Sequence, residues 1–164
     1  MPKSLSKLKN RSKNRGFTML ELLTTLALIG IMAGVVMLSI DPVTQQQKGW
    51  DAKRKSDLGQ VQRALEMYYQ DYNRYPASGT FTFGSAWNPY ISMVPPDPHA
   101  KTYIYWVDAT NFQSYALYAN MERGKWDSQA CAGGLACPNA TARGVGNSCG
   151  GACNYGVSSS NIIP

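Results

Sequence analysis

The hydrophobic pattern divides the chain into unequal stretches. From Leu22 to Ile40 no charged residue appears across 19 positions, the length of a helix that crosses a membrane. A polar interval from Asp41 to Gly49 follows; it contains Pro42 and Gly49 and reads as a kink or short interruption. Leu58, Val61, Leu65, Tyr68, Tyr69 and Tyr72 then recur at spacings of three and four, the apolar face of an amphipathic helix. Lys53, Arg54, Lys55, Gln60, Gln62, Arg63 and Gln70 fall largely elsewhere. As one helix, Phe17 to Tyr72 would run ~84 Å. That suits a front half in a membrane and a rear half packed on its own domain.

Asn73-Arg74-Tyr75-Pro76 ends the helix, because proline and the residue before it both resist helical geometry. Residues 77–101 are rich in Gly, Pro, Ser and aromatics and read as a loop, with one short element near Tyr90–Val94 and an extended turn at Pro95–Pro98. Tyr103–Val107 and Ser114–Ala119 are aromatic or β-branched and flank the turn-like Asp108–Asn111, so they predict a hairpin. Its apolar face would lie on the Leu58–Tyr72 helix face, with a third strand drawn from beyond Glu122. The fold class is therefore α+β. The tyrosines read as core and sheet residues with a polar tip.

Charge sharpens the front of the chain. Six of the sixteen Lys and Arg residues precede Phe17, and no acid precedes Glu21. Without that leader ten positive charges face ten negative ones, so the pI near 9.2 says little about nucleic acid. A basic leader before an apolar span keeps that end cytoplasmic and sends the rest out. A secretory signal places its small-residue cut after the apolar run. Here the candidate cut, Gly16-Phe17, comes before it, so the span would stay in the product. An uncleaved signal anchor is the alternative.

Glu21 sits just inside the span, where an ionisable group is costly and usually has a partner. Cleavage after Gly16 would supply one, the new α-amino group of Phe17 four residues away on the same helical face, or that of a neighbouring subunit. Such a pair would set axial register, since a slip leaves a charge unpaired. Snorkelling to the headgroups is the plainer alternative.

Gly16-Phe17-Thr18-Met19-Leu20-Glu21-Leu22-Leu23 resembles the class III signal of type IV pilins and pseudopilins. The resemblance implies cleavage and N-methylation at Phe17 by a prepilin peptidase. It also implies passage through the cytoplasmic membrane, an inner-membrane assembly platform, and a filament built on the span, with Glu21 and Phe17 setting register. It implies a pilin-like fold: a long N-terminal helix packed on a small antiparallel sheet, with a disulfide-closed C-terminal loop. Thr24-Thr25 departs from the family's usual aliphatic residues, but both hydroxyls can bond back to helix carbonyls. Gly30 and Gly34 form a Gly-x-x-x-Gly pair that lets helices approach closely in lipid, and Pro42 is available as a kink. The expected divisions are a leader at 1–16, the hydrophobic helix at 17–50 with a break near 41–49, a head at 51–122 and a Gly/Cys-rich region at 123–164.

Cys131, Cys137, Cys149 and Cys153 lie in the last 34 residues among seven glycines. An exported segment with little to bury points to two disulfides of undetermined pairing. The spacings C-x5-C and C-x3-C differ from those of zinc ribbons, and no cofactor or metal is expected. Asp97, Asp108 and Asp127 are a weaker Ca2+ alternative, without a compact carboxylate loop. His99 is the only histidine and reads as an exposed loop residue. The mixed run Asp51–Asp57 reads as a solvated helix face or subunit contact, making nucleic acid an unlikely direct ligand. Asn139-Ala140-Thr141 is a formal glycosylation acceptor.

No constellation supports catalysis. The leading expectation is a structural subunit of a type IV pilus, with adhesion, twitching or DNA uptake as outputs of the polymer on the cell surface. A type II secretion pseudopilin is the alternative within the family, and the cysteine-rich tail argues for the surface pilus because secretion pseudopilins have leaner tails. A single-span anchored binding protein is the alternative outside it.

Overall fold

The computed structural model describes residues 16–39 and 41–164. The expected leader therefore lies outside the described residues, except for Gly16. The chain forms two compact units, Met1–Asp41 and Pro42–Pro164.

In the first unit, helix α1 spans Met19–Ser39, or ~32 Å at 1.5 Å per residue. Residues Met19–Met37 have mean hydropathy 2.1 and none of them is buried within the chain, so length and composition suit a membrane span. Thr24 and Thr25 donate their hydroxyls to the carbonyls of Glu21 (3.0 Å) and Leu22 (2.8 Å). A polar side chain in apolar surroundings is thereby satisfied within its own helix.

The second unit opens with α2, Pro42–Tyr72. The polar interval 42–49 is helical, which corrects the expected interruption. Pro42 is the first helical residue, where its missing N–H and fixed φ cost nothing. Gly49 is tolerated inside the helix at ~1 kcal/mol relative to alanine. At the other end Asn73 turns left-handed, φ +52°, and its N–H bonds the Tyr69 carbonyl at 2.7 Å, a left-handed helix cap.

Three antiparallel strands follow in the order β1 (Ile104–Val107), β2 (Tyr115–Ala119) and β3 (Tyr155–Ser158). Val107 pairs with Tyr115 and Ala119 with Tyr155. The hairpin is as expected, and the third strand comes from the far C-terminal end. Between Glu122 and β3 lie two 3-10 turns, Gly124–Trp126 and Cys131–Gly134, and a short helix α3, Pro138–Ala142.

Every residue of β2 is buried. Alternation explains why, since successive side chains point to opposite faces. Tyr115, Leu117 and Ala119 join Leu58, Val61, Ala64 and Leu65 of α2 in one core. Ala116 and Tyr118 join Cys137, Ala140, Cys149 and Cys153 in a second. Disulfides link Cys131 to Cys137 and Cys149 to Cys153. The expected apolar helix face is present with one change: Tyr72 is 55% exposed, while Tyr68 and Tyr69 pack at the core's edge.

Candidate assembly site

The start of α1 is built by Thr18. Its hydroxyl accepts the Glu21 N–H at 3.2 Å and its carbonyl accepts the Leu22 N–H at 3.2 Å, so Thr18 caps the helix and Glu21 is its third residue. Phe17 lies ahead of the cap and is 82% exposed. The expected placement of Phe17 and Glu21 on one helical face is thereby corrected, because Phe17 is not helical. What remains is a carboxylate in the first turn, where the helix dipole favours negative charge.

Gly30 and Gly34 lie on α1, and a Cβ at either would meet nothing within 4 Å. Packing within the chain does not require glycine there. Pro42 starts α2 rather than kinking a helix from inside.

The largest departure from expectation is in the run Asp51–Asp57. Arg54 and Asp57 are fully buried and Asp51 nearly so, while Ala52, Lys53 and Ser56 are exposed; only one side of the run is a solvated face. Arg54 grips Asp97 with two bonds, Nε to Oδ2 at 2.7 Å and Nη2 to Oδ1 at 3.1 Å. Its Nη1 donates to Asp51 at 3.0 Å and Nη2 reaches Glu122 at 3.4 Å. Lys101 bonds Glu122 at 2.9 Å. Asp51 also accepts the N–H groups of Glu122 and Arg123, each at 2.8 Å, and Asp97 those of His99 (2.8 Å) and Lys101 (3.2 Å). Next to it, Asp57 pairs with Lys53 and accepts the Tyr103 hydroxyl at 3.1 Å. One guanidinium thus ties α2 to two segments remote in sequence. The signal was readable: Asp51 and Arg54 continue the three-and-four spacing of Leu58, Val61 and Leu65 toward the N-terminus.

The electrostatics follow from burial and pairing. Burial opposes charge on Asp97, but the Arg54 bonds outweigh it and hold the carboxyl below its ordinary range. For Arg54 burial likewise opposes charge, and Asp97 reverses the sign, raising its pKa. Glu122 is held low against burial by Lys101 and His99. The Tyr103 hydroxyl is pushed up by burial and by the Asp57 charge.

His99 is more engaged than expected. Its ring stacks on Trp50, with centres 3.7 Å apart and planes 7° from parallel, and its Nδ1 lies 3.3 Å from Glu122. Asp97, Asp108 and Asp127 are not brought together: Asp97 serves Arg54, Asp127 pairs with Lys55 at 2.7 Å, and Asp108 closes a turn onto the Thr110 N–H at 3.0 Å. Among the described residues no group of three potential metal ligands forms. Asn139 donates to the Ile163 carbonyl at 3.0 Å.

An apolar helix with a capped, carboxylate-bearing start, followed by an α+β head, suits a membrane-anchored subunit. Residues 11–37 match the family model described as a prokaryotic N-terminal methylation motif. The type II secretion system core protein G of Klebsiella pneumoniae is 31% identical over 91 residues, 56% of this chain and 60% of that protein. The protein of the same name from Pseudomonas aeruginosa is 28% identical over 135 residues, covering 73% of this chain and 94% of the relative. That of Escherichia coli K12 is 28% identical over 105 residues, 56% of this chain and 71% of the relative. The chain thus spans about 60% of the length of the Klebsiella relative. No solved structure matches it. These matches support a place for the chain in the type IV pilin and pseudopilin family.

Proposed function

We propose that this chain is a pseudopilin, a structural subunit of the filament of a type II secretion machine. The supporting observation is the extent of the matches to secretion core proteins: 91 to 135 residues, against a methylation motif confined to residues 11–37. The motif is common to pilins and pseudopilins, whereas the longer matches take in head residues. They favour the secretion reading over the surface pilus that the cysteine-rich tail was taken to indicate.

On this reading a prepilin peptidase cuts between Gly16 and Phe17 and methylates the new Phe17 amine. α1 holds the subunit in the cytoplasmic membrane until an inner-membrane assembly platform adds it to the filament. Glu21 sets the axial register against the Phe17 amine of a neighbouring copy, since a mispaired carboxylate in an apolar bundle is strongly disfavoured. Gly30 and Gly34 let neighbouring helices approach.

Intact mass of the protein from native membranes tests processing: the expected mass begins at methylated Phe17, and one beginning at Met1 would overturn the filament reading. Deleting the gene separates the two family readings. Loss of exported enzymes with pilus-driven motility retained supports the pseudopilin; the reverse outcome refutes it and establishes the pilus.

A further inference from the structure

The end of the head at which α2 begins holds cations that the buried network does not use. A groove of about 330 Å³ lies between the early turns of α2 and the 3-10 turn Gly124–Trp126, with Lys48, Lys55, Arg123 and Trp126 on its walls. Its acids are engaged, Asp51 by Arg54 and Asp127 by Lys55. At this corner, the ion pairs among the described residues leave out Lys48, Arg123 and Lys125. Trp126 is 70% exposed. The Arg123 guanidinium lies 4.9 Å and the Lys125 ammonium 5.7 Å from its ring centre.

An exposed indole ringed by cations is an amphipathic group suited to the interface of a bilayer, where one side is apolar and the other wet. The chain carries this corner to such a surface. Arg123 donates to the Thr44 hydroxyl at 3.4 Å, and Thr44 is five residues beyond Ser39, where α1 ends. No more than ~18 Å of chain can separate Thr44 from that point.

We propose that this corner docks on anionic phospholipid headgroups while the subunit resides in the membrane, with Trp126 in the headgroup layer and Lys48, Arg123 and Lys125 on the phosphates. The inference rests on the reading of α1 as a membrane span. Each cation near an anionic leaflet strengthens association about fivefold, and the attraction fades beyond ~8–10 Å in ordinary salt. The contact holds the unassembled head down on the bilayer and must break when the subunit enters a filament.

The test uses the full chain in lipid nanodiscs carrying a headgroup-level spin-labelled phosphatidylcholine as quencher. Subtracting the fluorescence of a Trp126→Phe variant isolates this indole from Trp50, Trp87 and Trp106. The expected result is at least about twofold stronger quenching of Trp126 in discs containing phosphatidylglycerol than in phosphatidylcholine alone. The increment should disappear in 1 M salt, and Lys48→Gln and Lys125→Gln should each remove part of it. Equal quenching in both lipids, or an increment that survives both substitutions together, overturns the proposal. Shielding of Trp126 that grows with the number of chains per disc, whatever the lipid, also overturns it and assigns the corner to a second copy. A chain that fails to enter discs of either lipid refutes the span reading itself, and this proposal with it.

Discussion

Replacing Arg54 by methionine removes the centre of the buried network while keeping most of the side-chain volume. The Arg54 side chain is 0% exposed, and its partners Asp97 and Asp51 are 1% and 6% exposed. After the change each of those carboxylates keeps two backbone N–H donors but faces no guanidinium, while Glu122 keeps Lys101. Deleting one partner of a buried pair costs ~3–5 kcal/mol; the surviving backbone bonds put the expected loss near the lower end, ~3 kcal/mol. Against a usual domain stability of ~5–15 kcal/mol, the head still folds. The pH dependence carries a sign. In the native chain Asp97 and Glu122 are held below their ordinary values of 3.8 and 4.5. A depressed folded-state pKa contributes stability that is present above the unfolded value and lost as pH falls through the folded one. Acid therefore weakens the native head progressively below about pH 4.5. In the variant, burial acts on Asp97 without the guanidinium, its pKa moves up, and proton uptake favours the folded state. The stability gap between the two chains should accordingly narrow from pH 7 to pH 4. Urea unfolding of the full chain in detergent, followed by near-ultraviolet circular dichroism at several pH values, measures both quantities. A gap under ~1 kcal/mol at pH 7, or a gap unchanged at pH 4, would refute the assignment of Arg54 as the electrostatic tie of the head.

Other expectations concern different layers of the chain. Glu21→Ala should abolish incorporation into filaments while the subunit stays in the membrane, scored by fractionation and cross-linking; normal assembly would remove the register role. Asn154 accepts the Met121 N–H at 2.7 Å and donates to the carbonyls of Met121 (3.1 Å) and Gly134 (3.3 Å), so Asn154→Ala should cost on the order of 2–3 kcal/mol in urea unfolding. Reducing the two disulfides, which close loops of sequence separation 6 and 4, should cost about 2 kcal/mol each, read as a lower urea midpoint. Gly49→Ala should stabilise α2 by ~0.5–1 kcal/mol, because the added methyl meets nothing within 4 Å.

Elements set by local periodicity were legible in the sequence. The apolar span, the Leu58–Leu65 helix face and the 103–119 hairpin each follow from spacing alone, and each is present. The start of α2 was misread because proline and glycine were weighed as breakers without regard to position; proline at the first helical residue is a start signal. The ion network was missed because charge was taken as a mark of exposure. Arg54 lies four residues before Leu58, in step with the buried face, yet it was read as falling off that face; its partners Asp97 and Glu122 lie 43 and 68 residues away, and no local pattern announces a contact at that range. His99 is an exposed loop residue as expected, but its stack on Trp50 joins a loop to a helix and was beyond local reading for the same reason.

The cysteine-rich end shows how a correct local reading led to a wrong functional weight. Read alone, it is a glycine-rich segment that needs staples to hold one shape. In the fold it is a layer: Cys137, Cys149 and Cys153 are each 0% exposed, and with Ala140 they cover Ala116 and Tyr118 on the face of β2 turned away from α2. A three-stranded sheet with an uncovered apolar face would lose that burial to water, and a short segment rich in glycine can supply the cover only if cross-links limit its unfolded freedom. The two disulfides therefore serve the second face of the sheet on either functional reading. Their number is a consequence of how this head closes its core, and it carries no weight in choosing between a surface pilus and a secretion filament. That choice rests on the relatives whose similarity runs beyond the methylation motif.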